Sequence, residues 1–140
     1  MTQKVKLASL DLVNALVEGI LEKKGEEILV LDLKKLPHAI ADYFIICEAS
    51  NERQVNAIAD QLEREVRKKI KEKPWHVEGK ENLEWVLIDY FNVVVHIFKK
   101  ETRKFYALED LWADGEIVKL DLIENWNWYI LRSNSREIFI

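Results

Sequence analysis

The run EWVLIDYFNVVVHIFKK at residues 84 to 100 constrains the fold more than any other part of the chain. Side chains alternate across a strand, so two β-rich arms meeting at Phe91-Asn92 predict a tight hairpin with two different faces. In that register Asp89 opposes Val94, and Leu87 opposes His96. One face carries Val86, Ile88, Tyr90, Val93, Val95 and Ile97, an uninterrupted apolar surface that has to be buried. The other carries Trp85, Leu87, Asp89, Val94, His96 and Phe98, aromatic and aliphatic but interrupted by a carboxylate and an imidazole.

The flanking segments show what can cover the first face. Apolar residues at three- and four-residue steps from Leu7 to Lys24 (Leu10, Val13, Val17, Ile20, Leu21) predict an amphipathic helix. Gly25 is placed to end it in the left-handed conformation. ILVLDL (28–33) and DYFIICEAS (42–50) read as buried strands. Ser50 is then expected to cap a second helix with the stripe Val55, Ile58, Ala59, Leu62, Val66 and Ile70, stopped by Pro74. A short strand around Trp75 to Val77 precedes the EGKEN turn, and ETRKFYALEDLW (101–112) folds back on the sheet. The order α-β-β-α-β-β-β-α predicts an α/β fold with a mixed β-sheet of about five strands and helices mainly on one face. Both long helices need the Val86/Ile88/Val95 side. The Trp85/Asp89/His96 side is therefore expected to lack a helical cover and to form a contact surface.

Several function classes are disfavoured. A chain of 140 residues suits one domain, and its net charge of −4 argues against indiscriminate nucleic-acid binding. The single Cys47 forms no internal disulfide and, within an apolar strand, reads as a core thiol. His38 and His76 lack metal-ligand spacing, so no metal or cofactor is expected. None of the four glycines belongs to a phosphate-binding loop. No apolar run reaches membrane-span length and the N-terminus lacks signal-peptide order, so the expectation is cytoplasmic.

Asp89 and His96 leave three readings open: an acid–base pair, a contact face, or a locally satisfied structural pair. They are diagonal neighbours with no nucleophile beside them, which favours contact over catalysis. The basic run REVRKKIKEK (64–73), with Lys68, Lys69, Lys71 and Lys73, is either a solvated helix face or a contact for RNA phosphates.

DYFIICEASNERQVNAIADQL (42–62), VEGKENLEWVLIDYFNVVVHIF (77–98) and RKFYALEDLW (103–112), in that order, resemble the ribosomal silencing factor family RsfS, also called Iojap. The resemblance implies a nucleotidyltransferase-like topology without catalysis; here Ala49-Ser50 lacks the glycine of active enzymes and no Asp-x-Asp follows. It further implies docking on the large ribosomal subunit through large-subunit ribosomal protein fourteen, blocking small-subunit joining and lowering translation when nutrients are scarce. The alternative it leaves is an RNA-contacting large-subunit assembly factor using Lys68, Lys69, Lys71 and Lys73, with a minor ribosomal RNA contact; pairing of the apolar C-terminal residues with a second copy leaves a homodimer open, and charge and hydropathy argue against DNA and membrane as partners. Carried over by residue, the partner-binding positions are Trp85, Asp89, Tyr90, His96 and Phe98, then Tyr106, Glu109 and Trp112, with Leu87 added from the sheet face. The chain departs from the family pattern at Phe91-Asn92, commonly Gly-Asp, and at Glu48-Ala49. The family-like domain is expected over residues 1–113. Residues 114–140, with Trp126, Trp128 and Tyr129, form an apolar C-terminal extension.

Overall fold

The structure, a computed structural model, describes residues 2–37 and 39–107 together with the backbone of 116–117, 130–131 and 138–139; side chains are described within residues 9–107. Helix α1 (Thr2–Glu22) leads into strands β1 (Glu26–Asp32) and β2 (Tyr43–Ala49), followed by helix α2 (Glu52–Lys69). Strands β3 (His76–Glu78), β4 (Trp85–Asp89) and β5 (Val93–Lys99) come next, then the short helix α3 (Lys100–Tyr106) and the two-residue β6 (Glu116–Ile117). The sheet runs β3-β4-β5-β2-β1-β6, with β2 and β5 parallel and the remaining pairs antiparallel. A separate ribbon pairs β7 (Ile130–Leu131) with β8 (Ile138–Phe139).

This is the expected α/β class, and the hairpin register is the one read from the turn: Trp85 faces Phe98, Leu87 faces His96 and Asp89 faces Val94. One continuous core joins Leu12, Leu16 and Ile20 of α1, Val55, Ile58 and Leu62 of α2, and Val86, Ile88, Val95 and Ile97 of the hairpin. Both long helices therefore share one face of the sheet. Strand β2 is buried along its whole length because it lies between β5 and β1 with packing on both faces.

Three chain-reversal expectations are corrected. Gly25 does not supply the left-handed residue after α1; Lys24 does, at φ 61°. Lys24 N donates to Leu21 O (3.0 Å) and Gly25 N to Ile20 O (2.9 Å), a Schellman arrangement in which glycine is needed for space. A Cβ on Gly25 would lie 2.4 Å from Ile20 Cγ2. Asn51, not Ser50, caps α2, because its side-chain carbonyl accepts from Gln54 N at 2.9 Å. Gln54 in turn donates to Lys23 O and Lys24 O, tying the start of α2 to the end of α1. Pro74 does not stop α2, which ends five residues earlier, at Lys69, just before Lys71 turns left-handed at φ 66°.

Two turns frame the hairpin. Gly79 adopts φ 91°, and a Cβ there would meet the Trp85 carbonyl oxygen at 2.0 Å. Backbone cannot yield as a side-chain tip can. Gly79→Ala is expected to lower stability by about 1–3 kcal/mol, read from the urea midpoint at constant m-value. At the hairpin tip Phe91 takes φ 82°, Asn92 N donates to Tyr90 O (3.1 Å), and Asp89 Oδ1 accepts from Phe91 N (2.7 Å). This tight γ-type turn costs a non-glycine residue on the order of 1 kcal/mol.

Candidate functional site

The second face of the sheet is crossed by neither long helix, but the expectation of a bare surface is corrected. Leu33, Leu36, Ala39 and Ala41 from the segment after β1 pack with Leu29, Leu31, Phe44, Ile46, Val94 and Phe98 into a second apolar cluster. Trp85 and Leu87 lie half-buried at its margin, since β4 stands one strand away from the sheet's edge. What stays accessible on this face of the hairpin strands is the strip Trp85, Leu87 and Asp89.

The strip rests on a buried support. The Trp85 indole N–H donates to His96 Nδ1 at 3.1 Å, and the indole stacks on Phe98 with centroids 4.8 Å apart. His96 is 4% exposed and meets Phe44 edge-on at 4.7 Å. Accepting the indole proton requires the neutral tautomer with hydrogen on Nε2, an atom with no hydrogen-bond partner among the described residues. Burial lowers the imidazole pKa from 6.5 to about 3, so His96 is uncharged at neutral pH.

Helix α3 closes one end. Tyr106, half exposed, packs its ring 4.8 Å from that of Trp85, and exposed Phe105 meets Tyr106 at 5.1 Å. Arg103 holds this helix in place: its Nη1 donates to Glu27 O (2.6 Å) and lies 3.3 Å from Glu48 Oε1, both side chains being 11% exposed. Glu27 sits at φ 52° in the bulge where the β1–β2 register shifts, which aims its carbonyl at the guanidinium. Burial raises the Glu48 carboxyl, against the lowering influence of Arg103.

Of the expected contact residues, Trp85, Leu87, Asp89 and Tyr106 are brought together at the surface. His96 (4% exposed) and Phe98 (0%) lie beneath it as support, and Tyr90 (5%) is buried as well, so the expected direct contact of all three is corrected. Tyr90 in fact points to the opposite, helix-covered core, as strand alternation from Ile88 requires. Glu109 and Trp112 lie outside the described residues, as does His38. Asp89 and His96 form no acid–base pair, since the first is bonded to the turn and the second to Trp85. Cys47 is a core thiol whose pKa burial raises to about 12. No group of three or more His, Cys, Asp or Glu side chains among the described residues could hold a metal ion. No helix among them is long and apolar enough to cross a membrane.

Arg103 and Glu48 escaped the sequence reading. They are 55 residues apart and in different elements, and only the parallel β2–β5 pairing, with α3 leaving β5, brings them together.

Known proteins are similar to this chain in sequence and in fold. The ribosomal silencing factor RsfS of Halalkalibacterium halodurans is 38% identical over 115 residues, covering 82% of this chain and 97% of that protein. The protein of the same name from Bacillus subtilis is 41% identical, covering 71% and 83%. "Mitochondrial assembly of ribosomal large subunit protein 1" of Mus musculus is 28% identical, covering 72% of this chain and 45% of its own length. A crystal structure from Bacillus halodurans superposes with a TM-score of 0.69 at 36% identity, over 79% of this chain and 99% of that one. One from Chromobacterium violaceum gives 0.70 at 28% identity, over 83% and 94%. The profile of the family described as "Ribosomal silencing factor during starvation" matches residues 6–135, and the chain belongs to that family of ribosome-associated regulators.

Proposed function

We propose that this chain is a non-enzymatic silencing factor of the cytoplasm that docks on the large ribosomal subunit and keeps the small subunit from joining. The docking surface is the Trp85–Leu87–Asp89 strip with Tyr106, its partner is large-subunit ribosomal protein fourteen, and the consequence is lowered translation under nutrient limitation. Glu109 and Trp112 are further partner-binding residues of this reading, carried by the family resemblance alone. The observation that carries this reading is a half-buried tryptophan fixed by a buried hydrogen bond and two ring contacts, an anchor whose rotamer entropy is already spent before binding. Exposed Glu78 and Glu84 flank the strip beside Asp89, which suits the basic surface of an RNA-binding protein.

Sedimentation of purified subunits with increasing protein tests the proposal. Fewer joined particles are expected at saturation, and unchanged joining rejects it. Trp85→Ala should weaken binding to the large subunit by about 2 kcal/mol or more, roughly thirtyfold, if the indole is the central anchor.

A further inference from the structure

Three of the most exposed large apolar side chains lie away from the Trp85 strip: Ile40 (74%), Trp75 (70%) and Phe91 (67%). Trp75 and Phe91 touch, with centroids 5.3 Å apart and planes at 68°, so the rings diverge and each keeps surface toward solvent. Neither ring belongs to the core. Phe91 nevertheless holds the strained φ of 82° at the hairpin tip, where an L side chain is disfavoured, and strain of this kind concentrates at functional positions.

The chain leading to Trp75 is cationic. Arg67, Lys68, Lys71 and Lys73 are exposed and have no ion pair among the described residues, whereas Lys69 is taken by Glu18 and Glu65. Lys71 and Lys73 lie four and two residues before the indole, within about 14 Å and 7 Å even for a fully extended backbone. Arg67 and Lys68 also line an open cleft with Arg64, Lys80, Asp60 and Glu63. The two cleft carboxylates are already held by Lys80, at 2.9 and 3.2 Å, which leaves the other cations uncompensated there. Arg67 and Lys68 stand at the end of α2, whose chain runs on through Lys71 and Lys73 to Trp75. Opposing acids nearby are Glu72, Glu78, Asp89 and Asp42, which lines a cavity with Phe91; Glu78 is bonded to His76 and Asp89 to the Phe91 backbone.

Free cations running into two solvent-facing rings are what a single-stranded nucleic acid requires, phosphates on the former and bases on the latter. Phe91 shares a cavity of about 280 Å³ with Leu36, Ala39 and Ile40, whereas Trp75 does not line it and faces solvent beside it. We infer that Trp75 and Phe91, approached by Arg67, Lys68, Lys71 and Lys73, form a stacking platform for a single-stranded RNA segment, separate from the Trp85 docking strip. The apposition of these rings depends on the hairpin tip meeting the start of β3, not on any step of the docking reading.

The test is fluorescence anisotropy of the full chain with a labelled, unstructured RNA of about 10 nucleotides at several salt concentrations. Binding should be detectable at low salt. Trp75→Ala and Phe91→Ala should each weaken it about 5- to 100-fold with thermal stability retained, whereas Phe105→Ala, which removes an equally exposed ring, should leave it unchanged. The double variant Lys71→Glu, Lys73→Glu should lower the slope of log affinity against log salt by at least about 1.4. No binding at low salt, equal loss in the Phe105 variant, or insensitivity to Trp75→Ala overturns the inference. So does a Trp75→Ala variant that keeps RNA binding but loses capture of large-subunit proteins stripped of RNA, because the platform then serves a protein. Each of these outcomes leaves the subunit-joining result for the Trp85 strip to stand or fall by itself.

Discussion

Arg103→Ala is expected to cost about 3–5 kcal/mol of folding stability, because it leaves Glu48 buried without its counter-charge. Burial already raises the Glu48 carboxyl with the guanidinium present, so removing that cation pushes the group toward protonation. The Glu27 carbonyl loses its side-chain donor in the same step. Two comparisons separate charge from packing. Glu48→Gln should recover part of the loss in the Arg103→Ala background, and the two substitutions should be non-additive by more than about 1 kcal/mol in urea denaturation. Additive losses would show that the pair contributes as independent packing. The damage should also reach the surface, since Arg103 is what holds α3 and the Tyr106 ring against Trp85; large-subunit affinity should fall even in conditions where the variant stays folded.

Stability should decline on acidification through a single buried group. His96 has an ordinary imidazole value of 6.5 when unfolded and about 3 in the fold. Between those values the unfolded chain binds a proton that the native chain refuses, so protons favour unfolding and stability rises with pH across the window. The contribution is complete above about pH 6.5 and is lost as pH falls toward 3. Its slope is about 1.4 kcal/mol per pH unit, on the order of 3 kcal/mol by pH 4. Once the imidazole is protonated, Nδ1 becomes a donor facing the indole N–H, and the Trp85 anchor loses its acceptor. His96→Asn keeps an oxygen near the Nδ1 position and does not titrate. Its stability profile should be flatter than that of the parent by the slope above, and parallel profiles would show that the imidazole does not carry the effect. Carboxylate titrations are common to both chains and cancel in the comparison.

Much of this molecule was legible before any coordinates. Alternation in residues 84–100 sufficed for the hairpin register, because a one-residue slip would send Val86, Ile88, Val95 and Ile97 to the wrong side. Helical spacing sufficed for the buried stripe Val55, Ile58, Ala59, Leu62 and Val66 of α2. The chain reversals were less legible. A chain with four glycines places Lys24, Lys71 and Phe91 at positive φ, and propensity alone would not choose them.

By itself the sequence determined the α/β class, the two faces of the hairpin and which of them the long helices take, since burial of a periodic apolar surface is a local pattern with one economical solution. Only the tertiary structure decided that His96 and Phe98 lie under the surface, that Trp85 is pinned from below, and that Arg103 meets Glu48. Those facts depend on which strand neighbours which and on what packs across the second face, and contacts between residues 11 to 55 positions apart leave no periodic trace in the chain that makes them.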